Sequence, residues 1–326
     1  MILRLSLNMK PATCMNRNKL SIPLISACLA ILFAQATISC TSPVEEEILP
    51  QSDVPSELSL KKVVIALKAN KNPEKMLAEK EFLEAYLSKK LSREVEVLIP
   101  TDSSVVVESF RNGTLDLGYL SSTDAARNLD QQTASVLLIH LKNGLPNYQS
   151  IWLSLKNKGY QTVEELSNKP VAFASRSSTS GYLIPVWDMA KRKLVGPNTA
   201  LTDFFSLVIY GTGYVSAVEK VLSGEVEAAA VSDYVFTGDN KYLSDAQKAR
   251  LRIVQKQGPV PSHTLCVRTS LSQSDTAILR DALLSMNQEN PTLRDQVFNG
   301  ELTEVDETEH LRVTREAIET QKNLKP

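Results

Sequence analysis

The segment from Val171 to Lys193 constrains the fold of this chain more than any other. Val171-Ala172-Phe173-Ala174 is a short apolar run of the kind that forms a buried strand. Leu183 to Lys193 contains no glycine and reads as a helix, with Pro185 tolerated in its first turn. Between them stand Ser177-Ser178-Thr179-Ser180-Gly181-Tyr182. A strand that hands over to a helix through a small-hydroxyl turn presents several backbone N–H groups and several hydroxyls at one point. A helix start carries unpaired donors and the positive end of the dipole, so such a turn favours an anion without needing a lysine or arginine. The same residues also make an ordinary helix cap, because Ser and Thr are preferred there.

Strand and helix patterns alternate on both sides of this segment. Apolar runs at 63–67, 95–100, 115–120, 136–140 and 150–155 predict strands before it, and runs at 205–210 and 227–231 predict strands after it. Helical stretches fall between them, Met76 to Leu91 and Val215 to Leu222 among them, and three more close the chain. This alternation predicts an α/β fold with mostly parallel sheets, in which ligands sit outside the carboxyl ends of the strands. The folded part, from Lys61 onward, holds about 265 residues, enough for two lobes. Two segments share one helix–glycine–acid–strand grammar: Phe110 to Leu117 and Val221 to Ala228. Shared α/β punctuation and an internal duplication explain that echo equally well, and either supports two similarly built lobes.

The first 39 residues carry Arg4, Lys10, Arg17 and Lys19 but no Asp or Glu. Leu20 to Ile38 is almost wholly apolar and ends at Ser39-Cys40. A basic start, an apolar run and a small residue before the cut predict a secretory signal peptide over 1–39, with Met15 as an alternative start. Thr37-Ile38-Ser39-Cys40 resembles a bacterial lipoprotein cleavage box, although Thr37 and Ile38 are looser than usual. Cys40 then becomes the lipidated N-terminus, tethering the chain to the membrane by its acyl chains. The competing possibility is an uncleaved anchor, and both place the remainder outside the cytoplasm. Residues 40–58, with Glu45-Glu46-Glu47, Pro50 and Pro55, read as a flexible tether.

Without the leader's four basic residues the chain keeps 32 of its 36, against 37 acidic residues, for a net charge of −5. That balance argues against nucleic acid as a partner. Beyond Cys40 the only cysteine is Cys266, in the apolar context Thr264-Leu265-Cys266-Val267, which excludes a disulfide framework and reads as a buried thiol. His140, His263 and His310 show no ligand spacing, so no metal or cofactor is expected.

From these motifs the chain resembles the extracytoplasmic substrate-binding proteins of phosphonate, phosphite and phosphate ABC transporters. The resemblance runs from about Lys61 to Leu311. Ser178-Thr179-Ser180-Gly181-Tyr182-Leu183-Ile184-Pro185 carries most of it. Arg111-Asn112-Gly113-Thr114-Leu115-Asp116, Asn147-Tyr148-Gln149-Ser150 and Leu222-Ser223-Gly224-Glu225 stand in the right order around it. The resemblance implies a two-lobed periplasmic-binding-protein fold with a ligand cleft at the hinge. Lobe 1 would be 61–153 plus 255–326, and lobe 2 would be 154–254. It implies that Ser178, Thr179 and Ser180 hold a small oxyanion, with Gly181, Tyr182, Tyr119, Ser121, Tyr214 and Ser232 as further ligand-binding positions.

Some of these positions depart from the family's pattern. Tyr214 stands where relatives carry a histidine and Ser232 where they often carry an aspartate. Ser103-Ser104 follows Asp102 in place of a tyrosine, and Ser121-Ser122 replaces a Gly-Pro-type turn. Phosphonate specificity therefore does not carry over with the fold. The implied function is that of a lipid-anchored, periplasmic or cell-surface binding protein that delivers the oxyanion to an ABC permease. A sensing lipoprotein docked on a membrane sensor, or one binding a non-phosphorus ligand, would need the same cleft. A serine hydrolase does not fit, because Ser178 and Ser180 lack a Gly-x-Ser-x-Gly elbow and a partner histidine.

Overall fold

The computed structural model describes residues 57–325 apart from 69–72, 101–102 and 239–241. The expected signal peptide, Cys40, almost all of the tether and Asp102 lie outside the described residues, as does the side chain of Ser103. Leu58, expected in the tether, is instead buried in the first core, and the Ser59 backbone N–H and hydroxyl both donate to Asp275.

Among the described residues eleven strands form two sheets. They are β1 (Lys62–Leu67), β2 (Glu94–Leu98), β3 (Leu117–Leu120), β4 (Ala134–Leu141), β5 (Asn147–Leu155) and β6 (Pro170–Phe173). The rest are β7 (Leu207–Tyr210), β8 (Ala228–Ser232), β9 (Leu251–Pro261), β10 (Thr264–Arg268) and β11 (Glu301–Thr303). The first sheet has the order β11-β4-β10-β3-β1-β2, with β2, β1 and β3 parallel and β10 antiparallel to both its neighbours. The second has the order β7-β6-β8-β5-β9, with β7, β6 and β8 parallel and β5 and β9 antiparallel. The inner parallel strands β1, β3, β6 and β8 are short and nearly continuous in apolar residues, as burial on two faces requires, whereas the edge strand β2 alternates glutamate with buried valine.

The chain passes between the sheets at 142–146 and at 262–263. The lobe bounds implied by the resemblance put these crossings near 153 and 255. The partners of β5 decide otherwise: it pairs with β8, and with β9 from Asn147↔Pro261 to Leu155↔Leu251. Such long-range pairing leaves no local trace.

The echoed segments behave alike. Gly113 and Gly224 both take left-handed φ, +69° and +78°, and each closes a helix. The acids that follow them stay within their own lobes. Asp116 accepts from the Val64 N–H at 2.8 Å and from Arg268 Nε at 2.9 Å, and Glu227 accepts from Lys158 Nζ at 2.9 Å.

One apolar cluster joins the two sheets. Ala126, on the helix Ser122–Asp130, packs with Leu183, Ile184 and Trp187 of the second lobe and with Val313, Ala317 and Ile318 of the C-terminal helix Glu307–Lys322. That helix therefore packs on both lobes, and Trp187 is a core residue. No described helix is long and apolar enough to cross a membrane.

Candidate functional site

Six of the expected site residues fall at or beyond the carboxyl ends of four strands. Ser121 follows β3, the Ser178–Ser180 turn follows β6, Tyr214 follows β7, and Ser232 ends β8. The turn is not an ordinary α-helical start. Thr179–Leu183 is wound as one π-type turn before the α-helix Ile184–Lys191, and Ser178 caps it by accepting from the Gly181 N–H at 3.0 Å. Gly181 is required by close approach: a Cβ there would lie 2.4 Å from the Ala174 Cβ and 3.2 Å from the Ala230 carbonyl oxygen.

Across the interlobe gap the helix Ser122–Asp130 begins, capped by Ser121. Its first residues meet the turn directly. Thr123 Oγ1 lies 2.7 Å from Thr179 Oγ1, and the Thr123 N–H and the Ser122 hydroxyl donate to the same atom at 3.3 and 3.4 Å. Two helix starts, one from each lobe, thus converge on a single point. Each brings the positive end of a helix dipole, so the junction suits an anion between them.

The other turn hydroxyl points into the second lobe. Ser180 is fully buried, and its Oγ is 2.8 Å from Tyr214 Oη, which accepts from Tyr234 Oη at 3.4 Å. Its carbonyl accepts from Ser150 Oγ at 2.6 Å, and Gln257 Nε2 donates to Ser150 at 2.8 Å. Ser232 Oγ and Gln257 Oε1 are buried with no hydrogen-bond partner. None of the three turn hydroxyls touches an imidazole.

Two expected positions are placed elsewhere. Tyr182 belongs to the core of the second lobe, with its ring against Phe173 and Tyr210 at 5.2 and 5.5 Å. Tyr119 is buried in the first core, donating to the Phe298 carbonyl at 2.8 Å and paired with His140 Nδ1 at 3.0 Å. Both rings are packed into buried clusters, Tyr119 in the first lobe and Tyr182 in the second.

Sequence reasoning missed three groups at the junction. Asp124 is buried beside Ser121, whose hydroxyl donates to it at 2.6 Å, and Lys68, just past β1, reaches it at 2.7 Å. Burial opposes ionisation of Asp124, but the Lys68 ammonium and the Ser121 hydroxyl outweigh it and hold the carboxyl below its usual range. Thr123 is the third. Ser121-Ser122-Thr123-Asp124 after β3 repeats the strand-then-hydroxyl grammar of the Ser178 turn, so that signal was present. Lys68 carries no local signal.

Two of the three histidines come together, with His140 and His263 stacked at 5.8 Å between centroids. Burial, with His263 adding to it, keeps His140 well below the usual imidazole range. Among the described residues no group of three or more His, Cys, Asp or Glu could hold a metal. Burial pushes the Cys266 thiol up to about 12, so it is inert at neutral pH.

Solved structures share this architecture. A Xanthomonas citri protein bound to ATP matches with a TM-score of 0.67 at 18% identity, covering 82% of this chain and 100% of its own. PhnD1 from Prochlorococcus marinus in complex with methylphosphonate matches with a TM-score of 0.69 at 17% identity, covering 80% and 99%. A binding protein component of an ABC phosphonate transporter from Pseudomonas aeruginosa matches with a TM-score of 0.67 at 16% identity, covering 80% and 87%. At these identities the likeness concerns the fold. The family described as "ABC transporter, phosphonate, periplasmic substrate-binding protein" matches residues 65–309. With most of its folded part inside that match, the chain belongs to the phosphonate periplasmic substrate-binding proteins of ABC transporters, a family of transport proteins rather than enzymes.

Proposed function

We propose that this chain is a lipid-anchored, extracytoplasmic solute-binding protein that closes its lobes on a small phosphorus oxyanion and passes it to an ABC permease. The convergence of two helix starts on Thr179 is the observation that carries this reading. An oxyanion entering between Thr123 and Thr179 would replace hydroxyl–hydroxyl contacts with shorter, charge-assisted ones. Ser178, Thr179, Ser180 and Tyr214 are the direct partners in this reading, while Ser121 and Ser232 shape the adjoining strand ends. Tyr214 and Ser232 are neutral, so the site has no ionisable histidine or aspartate there to select a protonation state of the anion. Among the structural neighbours, one holds methylphosphonate and another ATP, so the fold accommodates phosphorus oxyanions of very different size. The membrane tie is Cys40, through an attached lipid.

Thermal unfolding of the full chain against methylphosphonate, 2-aminoethylphosphonate, phosphite, phosphate, sulfate and an aliphatic sulfonate tests the ligand class. A ligand at about 100 times its dissociation constant adds about 2.7 kcal/mol, a rise of roughly 5–10 °C for a domain of this size. The expected result is a rise with a phosphorus oxyanion that Ser180→Ala abolishes. A rise only with sulfur compounds, or with none of the six, removes the reading.

A further inference from the structure

A cavity of about 640 Å³ opens between the lobes beside this site, and none of the expected ligand-binding residues lines it. Its walls include Lys142 and His263 from the two crossings, Arg294 from the first lobe and Asp233, Tyr234 and Tyr242 from the second. A tetrahedral oxyanion has five heavy atoms. At about 30 Å³ each, the share of a water molecule, they need roughly 150 Å³. The cavity is several times larger and falls within the range of about 300–1,000 Å³ typical of sites for organic molecules.

Its walls are of mixed character. Tyr234 and Tyr242 pack at 5.6 Å between centroids, and Lys142 Nζ lies 5.2 Å from the Tyr234 ring centre. Burial holds the Asp233 carboxyl of this wall above its usual range. Ring faces with a few polar groups between them fit a planar, polar organic group.

Two tyrosine hydroxyls separate the cavity from the oxyanion turn. Tyr234, on its wall, donates to Tyr214 Oη at 3.4 Å, and Tyr214 Oη is 2.8 Å from Ser180 Oγ. A molecule whose anionic end sits at the turn reaches the cavity by displacing the Tyr214 and Tyr234 hydroxyls.

We propose that the ligand is a phosphate monoester or phosphonate bearing a ring, with the phosphorus group at the Ser178–Ser180 turn and the ring in this cavity against Tyr242. The inference rests on the oxyanion reading of the turn. The test is the dissociation constants of phenyl phosphate, adenosine 5′-monophosphate, methylphosphonate and inorganic phosphate, measured by calorimetry on the full chain. At least one ring-bearing ester should bind about three- to tenfold tighter than methylphosphonate, the factor expected for one aromatic contact. Tyr242→Ala should erase that difference while leaving methylphosphonate binding unchanged. Thr237→Trp, which fills the cavity from an exposed position on its wall, should do the same if the first variant folds poorly. Equal affinity for ester and methylphosphonate, with both lost in Ser180→Ala, overturns the ring pocket and leaves the turn standing. Binding of none of the four removes the turn and the ring pocket together.

Discussion

Gly181→Ala tests the feature on which the turn depends. The added methyl would sit 2.4 Å from the Ala174 Cβ, whereas carbon atoms in contact rest at about 3.5–4.0 Å, so roughly 1 Å must be relieved. Ala174 is fixed by the end of β6 and cannot retreat, and the Ala230 carbonyl oxygen at 3.2 Å blocks the other direction. The turn must move instead, and its own cap from Ser178 to the Gly181 N–H is the first bond to fail. Overpacking costs about 1–3 kcal/mol and a lost cap about 1, for a destabilisation of about 2–4 kcal/mol. Calorimetric melting of the full chain should show a fall of about 5–10 °C. Ala174→Gly removes the other methyl, so the double variant should recover about 1–2 kcal/mol beyond additivity. A Gly181→Ala protein that melts at the wild-type temperature, or a double variant that is merely additive, would refute the argument that close approach shapes the turn.

Three further outcomes follow from the same geometry. Asp116→Ala leaves the half-buried Arg268 guanidinium and the Val64 N–H without their acceptor, and denaturant unfolding should show a loss of about 3–5 kcal/mol. Burial depresses the folded-state pKa of His140, and of His310 in the same direction, so the unfolded chain takes up protons first as pH falls. Stability should be level above pH 6.5, the ordinary imidazole value, and decline progressively below it. The slope should be shallower in His140→Gln, and an identical slope would remove the histidine from the account. Thr123→Val keeps its shape but drops the 2.7 Å contact to Thr179, so small-angle scattering of the unliganded chain should report a larger radius of gyration.

The turn was readable because its signal is local. A short apolar run, three small hydroxyls and a glycine sit side by side in the chain, and each residue acts on its neighbours. The helix-closing glycines Gly113 and Gly224 and their acids were readable for the same reason. Tyr182 and Tyr119 were not, because a tyrosine beside a cleft motif serves equally well as a wall of the cleft or a plate of the core. Phe173 and Tyr210 decide the first case, and Phe298 and His140 the second.

From the order of its residues alone this chain determined an α/β fold of alternating strands and helices, a hydroxyl-rich turn at a strand end and a buried lone thiol. Those follow from short-range forces: backbone geometry, capping and apolar patterning. The tertiary structure alone decided that β5 and β9 belong to the second sheet, that Lys68 and Asp124 pair beside Ser121, and that Thr123 faces Thr179. It alone also opened a cavity between Lys142 and Tyr242. In each of these cases the partners lie far apart in the chain, and only when the two lobes pack do their chemistries meet.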